Sequence, residues 1–227
     1  MRKTNGFIKN ICAILILVII ILFSNLSIQN GIGKELQGKA ALNEKVRMFL
    51  DSRRGAWHDW NIPYSDGKLL HDIILKNRYT KAIEIGTSTG HSAIWIAWAL
   101  SKTGGKLITI EIDEGRYKKA MANFKEAGLS DYIDARLADA HVLVEELPGT
   151  FDFVFSDADI DWYTNYFRAL APKLEIGGCF TAHNVRRTST GGIREFIEYV
   201  KNLNNFKTSI DTSSRAGMSI SFKISEN

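Results

Sequence analysis

The chain has 227 residues, 45% hydrophobic and 24% charged, which suits one globular domain and excludes collagen-like, wholly disordered and multi-span membrane proteins. Two cysteines, Cys12 in an apolar stretch and Cys179 alone in the rest, exclude a disulfide framework and a cysteine-based zinc site. Arg2, Lys3 and Lys9 supply three of the four net positive charges, so the remainder carries no nucleic-acid footprint.

Residues 11–23 (ICAILILVIIILF) form an apolar run behind those three charges. That is the layout of a basic n-region and an apolar h-region. A span needs about 20 apolar residues, and no clean cleavage site follows the run. Residues 1–28 therefore read as either a signal peptide or an uncleaved anchor, and the chain is expected to be membrane-associated through this segment alone, on a side left open. Residues 29–41, rich in glycine and charge, read as a linker, and residues 42–227 as the main domain. Leu42, Val46, Phe49 and Leu50 recur at helical spacing, and Asp66 to Asn77 predicts a second helix with Leu69, Leu70, Ile73 and Ile74 on one face.

From there the pattern alternates. Apolar runs at 82–86, 107–113, 132–139, 151–159 and 178–184 predict strands that end in turn-like or acidic residues. Between them lie amphipathic helices at Ser92–Leu100, Arg116–Ala127, Ala140–Leu147, Trp162–Leu174 and Ile193–Leu203. Such alternation predicts a mostly parallel sheet with helices on both faces. FKTSID (206–211) and MSISFKI (218–224) break it and predict a terminal hairpin carrying an antiparallel strand.

The turn after the first strand reads Gly86-Thr87-Ser88-Thr89-Gly90, beside the N-terminus of a helix. Nicotinamide dehydrogenases use G-x-G-x-x-G there. Ser88 stands where the second glycine should be, so a pyrophosphate loses its cradle, whereas a nucleoside without phosphates loses nothing. Glu111 ends the second strand, where doubly wound folds place the acid that binds ribose hydroxyls. Asp139 follows the third strand and Asp157 the fourth. Helix capping is the plain alternative for any one of these acids; three in succession beside a glycine loop indicate a ligand edge.

AIEIGTSTGHSAIWIAWAL, TIEID, the DA of LADAH, FDFVFSDADIDWY and GGCFTAHNV together resemble the class I S-adenosylmethionine-dependent O-methyltransferases of the catechol and caffeoyl-CoA type. The resemblance runs in order from about Asn61 to Phe222. It implies a Rossmann-like α/β fold, a seven-stranded sheet with a reversed C-terminal hairpin, and S-adenosylmethionine as cofactor. It also implies a small, aromatic hydroxylated acceptor, with homodimers an assembly that the family uses. Carried over, Gly86 and Ser88 face the methionine portion, and Ser92 holds its carboxylate. Glu111 binds the ribose, and Asp139 with Ala140 meets the adenine edge. Asn61 and Ile62 close over the methyl donor, Glu84 steadies the loop and can reach the donor's amino group, and Asp157 borders the same pocket. The family's divalent metal, held by Asp, Asp and Asn, maps to Asp157, His183 and Asn184. Its catalytic lysine maps to Ile160, which cannot take a proton. Asp157 and His183 are thus the catalytic candidates, with His183 either a metal ligand that disfavours magnesium or the general base.

Two other classes stay open on these residues: a module that binds the cofactor without turnover, and a nicotinamide oxidoreductase. Trp57, His58 and Trp60 precede the donor pocket, and the two tryptophans are expected either to wall a planar acceptor or to pack a helix cap. His71 is expected at the surface or boundary, His141 at a helix start, and Trp95 with Trp98 in a core helix. Arg186 and Arg187 are expected in a solvated loop.

Overall fold

In the computed structural model of the chain, residues 29, 31, 33–186 and 191–226 are described. The chain divides into two compact units, Met1–Glu44 and Lys45–Asn227. In the first, residues 33–44 are helical and largely exposed, so the stretch expected as a linker carries regular structure. The apolar run 11–23 lies outside the described residues. Among the described residues no helix is long and apolar enough to cross a membrane. The membrane association expected from the leader is therefore withdrawn.

The second unit opens with helical residues 45–52 (α1), which bury Val46, Phe49 and Leu50 as their spacing predicts. Its further helices are α2 (Tyr64–Asn77), α3 (His91–Thr103), α4 (Glu114–Ala127), α5 (Ala140–Glu146), α6 (Tyr163–Leu170) and α7 (Gly191–Lys201). The strands are β1 (Lys81–Ile85), β2 (Lys106–Glu111), β3 (Ile133–Leu137), β4 (Phe151–Ser156), β5 (Leu174–His183), β6 (Phe206–Asp211) and β7 (Met218–Lys223). They form one seven-stranded sheet in the order β3-β2-β1-β4-β5-β7-β6. The first five are mutually parallel, and β7 runs antiparallel to β5 and β6, as the terminal hairpin predicts.

β1 is buried at four of its five residues and β3, at the sheet edge, is half exposed. A central strand covered on both faces is built mainly from apolar residues, and Glu84 is the buried exception in β1. On one face Tyr163, Phe167 and Leu170 of α6 and Ile193, Phe196 and Val200 of α7 pack on Ile83, Val154 and Phe180. α2 and α3 pack against each other, burying Leu70, Ile74, Trp95 and Leu100.

Two boundaries depart from expectation. α6 stops at Leu170 rather than Leu174, and a 3-10 turn follows at Ala171–Lys173. Pro172 has no N–H to continue the helical ladder. β5 consequently begins at Leu174, four residues before its expected start, with Glu175, Ile176 and Gly177 exposed. His71 departs too: it is 8% exposed, with Lys102 Nζ 3.1 Å from its Nε2 and its ring against Trp98. Trp95 is a core residue, as expected.

The strand order reverses between β1 and β4, and open α/β sheets bind ligands outside the carboxyl ends of the strands at such a point. Ile85 pairs with Ser156, and Ser156 pairs with Ala182. Gly86, Asp157 and His183 therefore leave three neighbouring strands at one edge.

Candidate active site

The glycine loop is built by backbone chemistry. Gly86 has φ 95° and Gly90 φ 96°, values that L side chains rarely adopt. A Cβ at Gly86 would lie 2.5 Å from the Asp157 carbonyl oxygen, so glycine alone permits β1 and β4 to converge here. Gly86→Ala should therefore cost at least about 2 kcal/mol, the left-handed penalty plus the clash. Urea unfolding measures it, and an unchanged midpoint would show that the loop can move aside.

Glu111, at the end of β2, is 5% exposed and holds the loop from below. Its Oε2 accepts the Ser88 N–H at 2.7 Å, and Oε1 accepts from Ile112 N, Asp113 N and the Arg116 guanidinium. The Ser88 hydroxyl donates to the Asp59 carbonyl, tying the loop to the segment before α2. That segment is strained: Asp59 and Trp60 have φ 61° and 65°. Lys119 pairs with Asp59 at 3.2 Å, and the Asn61 amide donates to Thr89 Oγ1 at 2.7 Å. The result leaves Trp60 79% exposed.

A cavity of about 560 Å³ occupies this edge. Its lining brings together Gly86, Ser88, Glu111, Asp139, Ala140 and Asp157 from the expected cofactor set, with Trp60 and Asn184. Asp139 also caps α5, accepting the His141 N–H at 2.9 Å, so the capping and ligand-edge readings of this acid coexist. Arg116, His141, Ile160 and Tyr166 line the cavity as well, and the sequence reading gave them no ligand role. His141 is a helix-start residue as expected, and its ring stacks on Trp162 with centroids 3.7 Å apart.

The other expected residues stand behind the lining. Asn61 bonds Thr89, and its Oδ1 accepts the His91 N–H at 3.3 Å. Ile62 offers its carbonyl to His91 Nδ1 at 2.9 Å. Trp95 donates to His91 Nε2 at 3.1 Å, which fixes a neutral imidazole, and burial pushes that histidine down to about 4. Trp57 stacks on the same ring at 4.5 Å and lies outside the lining of the 560 Å³ cavity, which Trp60 enters. Arg186 is exposed, and Arg187 lies outside the described residues.

Glu84 is fully buried. Burial pushes its carboxyl up to about 8, against hydrogen bonds from Ser92 and Thr109 that favour the ionised form. Its Oε1 has no hydrogen-bond partner among the described residues. Glu84 and Ser92 thus form a buried pair beneath the loop.

Asp157, His183 and Asn184 come together as their strands predict. Asn184 adopts φ 60°, and its amide lies 3.1 Å from Asp157 Oδ1. His183 Nε2 donates to Asp66 Oδ2 at 2.8 Å, a bond across 117 residues. Its Nδ1 is 3.2 Å from Asp157 Oδ2, an ion-pair distance without hydrogen-bond alignment, and has no hydrogen-bond partner. Burial disfavours a charged imidazole here, but the two carboxylates outweigh it and push His183 up to about 9. Burial raises Asp157. His183 is 4% exposed and absent from the lining, so the geometry does not present it to an acceptor as a general base.

Among the described residues no group of three His, Cys, Asp or Glu side chains is disposed to hold a metal ion. The expected set has only two such residues, with an amide as the third donor. With His183 charged between Asp66 and Asp157, the imidazolium itself supplies the positive charge at this point, so these residues do not fit the family's divalent cation.

Asp66 escaped the sequence reading, although a signal existed. It lies four residues before Leu70 and seven before Ile73, on the apolar face of α2, where a carboxylate requires a partner.

The chain is 29% identical over 160 residues to caffeoyl-CoA O-methyltransferase 1 of Eucalyptus globulus, covering 64% of this chain and 65% of that protein. It is 37% identical over 127 residues to the catechol O-methyltransferase of Niastella koreensis, covering 54% and 57%. The chain thus spans between about half and two thirds of the length of the curated relatives it matches. The fold is also that of the O-methyltransferase from Bacillus cereus in complex with SAH, at TM-score 0.69 and 24% identity, covering 79% of this chain and 90% of that one. A family model described as O-methyltransferase matches residues 31–195, and the chain belongs to that family.

Proposed function

We propose that the chain transfers the methyl group of S-adenosylmethionine to a hydroxyl oxygen of a small aromatic acceptor. One observation carries this reading: the cavity at the strand-order reversal is lined by Gly86, Glu111 and Asp139 from three successive strand ends, and by an apolar flank of Trp60, Ile160 and Tyr166 beside Asp157. The first group suits an adenosyl sulfonium, with carboxylates for ribose and adenine edges and no phosphate cradle. The second suits a flat ring. The named activities of the plant and Niastella relatives agree with it.

The transfer is an in-line displacement. When bound, S-adenosylmethionine would supply an electrophilic methyl group that the acceptor oxygen displaces in line from sulfur, leaving a neutral thioether, with the hydroxyl proton passing to solvent water. Much of the rate in such a step comes from alignment. Trp60 and Tyr166 would orient the ring, and the Gly86 loop would hold the donor. Ile160 offers no proton acceptor.

Calorimetry with S-adenosylmethionine and with NAD tests the cofactor class. Binding of the first alone is expected; binding of NAD alone would overturn the reading. An acceptor panel of catechols, phenols and hydroxylated acids then tests turnover, and methylation restricted to nitrogen would refute the oxygen assignment.

A further inference from the structure

We infer that His183, bridging Asp66 and Asp157, takes the place of a divalent ion in this chain, so that methyl transfer proceeds without a metal and does not require two adjacent oxygens on the acceptor. The substrate part of this inference rests on the O-methyl transfer proposed above.

Metal ligands turn their lone pairs toward one common point. The side chains at the expected position instead turn N–H groups toward one another's oxygens. Asp157 Oδ1 accepts from the Asn184 amide at 3.1 Å, and Asp157 Oδ2 lies 3.2 Å from His183 Nδ1. The other ring nitrogen, Nε2, lies 2.8 Å from Asp66 Oδ2. Asp66 is itself filled by the Ser65 hydroxyl at 3.0 Å and by Ser214 from the turn between β6 and β7. A carboxylate therefore stands at each nitrogen of one ring, and only the imidazolium carries a proton on both.

The three charged side chains are at most 10% exposed. An ion on Asp157 would have to push aside the ring or the amide. Moving the ring leaves Asp66 buried without its partner, and keeping it sets two positive charges side by side; both are costly in the interior. The acceptor feels the difference. A bound divalent ion favours two adjacent oxygens, because both can enter its coordination shell and be oriented there. The imidazolium supplies no such shell, since His183 is 4% exposed and does not line the cavity. What meets the acceptor is the apolar flank of Trp60, Ile160 and Tyr166. Such a flank holds a ring by its faces and edges, whether the ring bears one hydroxyl or two.

The test uses full-length protein without a histidine tag. Calorimetry with magnesium and manganese salts is run on wild type and on His183→Asp, which restores an Asp, Asp and Asn set. Wild type should show no saturable ion binding at millimolar salt, and His183→Asp should gain it. Adding Asp66→Asn to His183→Asp removes the carboxylate that the lost ring leaves unpaired, and this double variant serves if the single one does not fold; if neither folds, the wild-type measurements decide. Turnover is compared on a phenol and on the catechol with the same ring substituent, with and without chelator. The two kcat/KM values should agree within about tenfold, which is 1.4 kcal/mol, and chelator should change neither. Saturable ion binding by wild type, turnover lost on chelation, a preference for the catechol well beyond that limit, or folded variants that gain no ion would overturn the inference. A wild type that binds S-adenosylmethionine yet methylates no acceptor would instead sink the functional reading, and the ion titrations would still decide the metal claim.

Discussion

Replacing Glu111 by Ala is expected to weaken S-adenosylmethionine binding by about 1–3 kcal/mol, the usual loss when a charged hydrogen-bond partner disappears. The side chain would act twice. It lines the cavity where a ribose would lie, and it holds the Ser88 and Asp113 amides that shape the loop. Glu111→Gln separates the two effects, since the amide keeps an acceptor but loses the charge. It should retain more of the loop and an intermediate affinity. Calorimetry on all three proteins measures this, and equal affinities would remove Glu111 from the cofactor site.

Glu84 produces the second large effect, in stability against pH. Its folded carboxyl sits at about 8, above the ordinary 4.5, because burial disfavours the charge. Below pH 4.5 both folded and unfolded chains hold the proton, and the contribution is fully present. As pH rises from 4.5 to 8 the unfolded chain releases the proton and the folded chain keeps it, so stability falls. At about 1.4 kcal/mol per unit the loss reaches roughly 4–5 kcal/mol by pH 8. Glu84→Gln should abolish this component. His91, pushed down by burial, runs the opposite way, gaining stability as pH rises from about 4 to 6.5. Comparing urea unfolding of wild type and Glu84→Gln at pH 5 and pH 8 cancels that term. Parallel pH slopes would mean that Glu84 is ionised in the folded protein.

Much of the fold was legible because parallel strands and amphipathic helices each have a period that apolar residues reveal. The hairpin at 206–223 was readable for the same reason. The start of β5 was not, since Glu175, Ile176 and Gly177 are exposed and carry no alternating signal. The helical residues 33–41 were read as linker because they bury almost nothing to pattern. At the site, the residues that end strands fell where expected, since topology alone brings Gly86, Glu111, Asp139 and Asp157 to one edge. Contacts between distant segments left no local sign of which residues would meet, even where, as at Asp66, the apolar face showed that a partner was required. Trp57 packs on His91, Asn61 bonds Thr89 and Asp66 holds His183 only because α2 and its preceding loop fold against α3 and β5.

The position of a transferred methyl group tests the central claim most directly. Full-length protein would be incubated with S-adenosylmethionine carrying a ¹³C methyl and with a catechol, and the product examined by NMR. The account predicts the label as a methyl ether on one ring oxygen, in an amount that follows the protein. Cofactor bound but no label on any hydroxylated acceptor, or label found only on nitrogen or carbon, would contradict it.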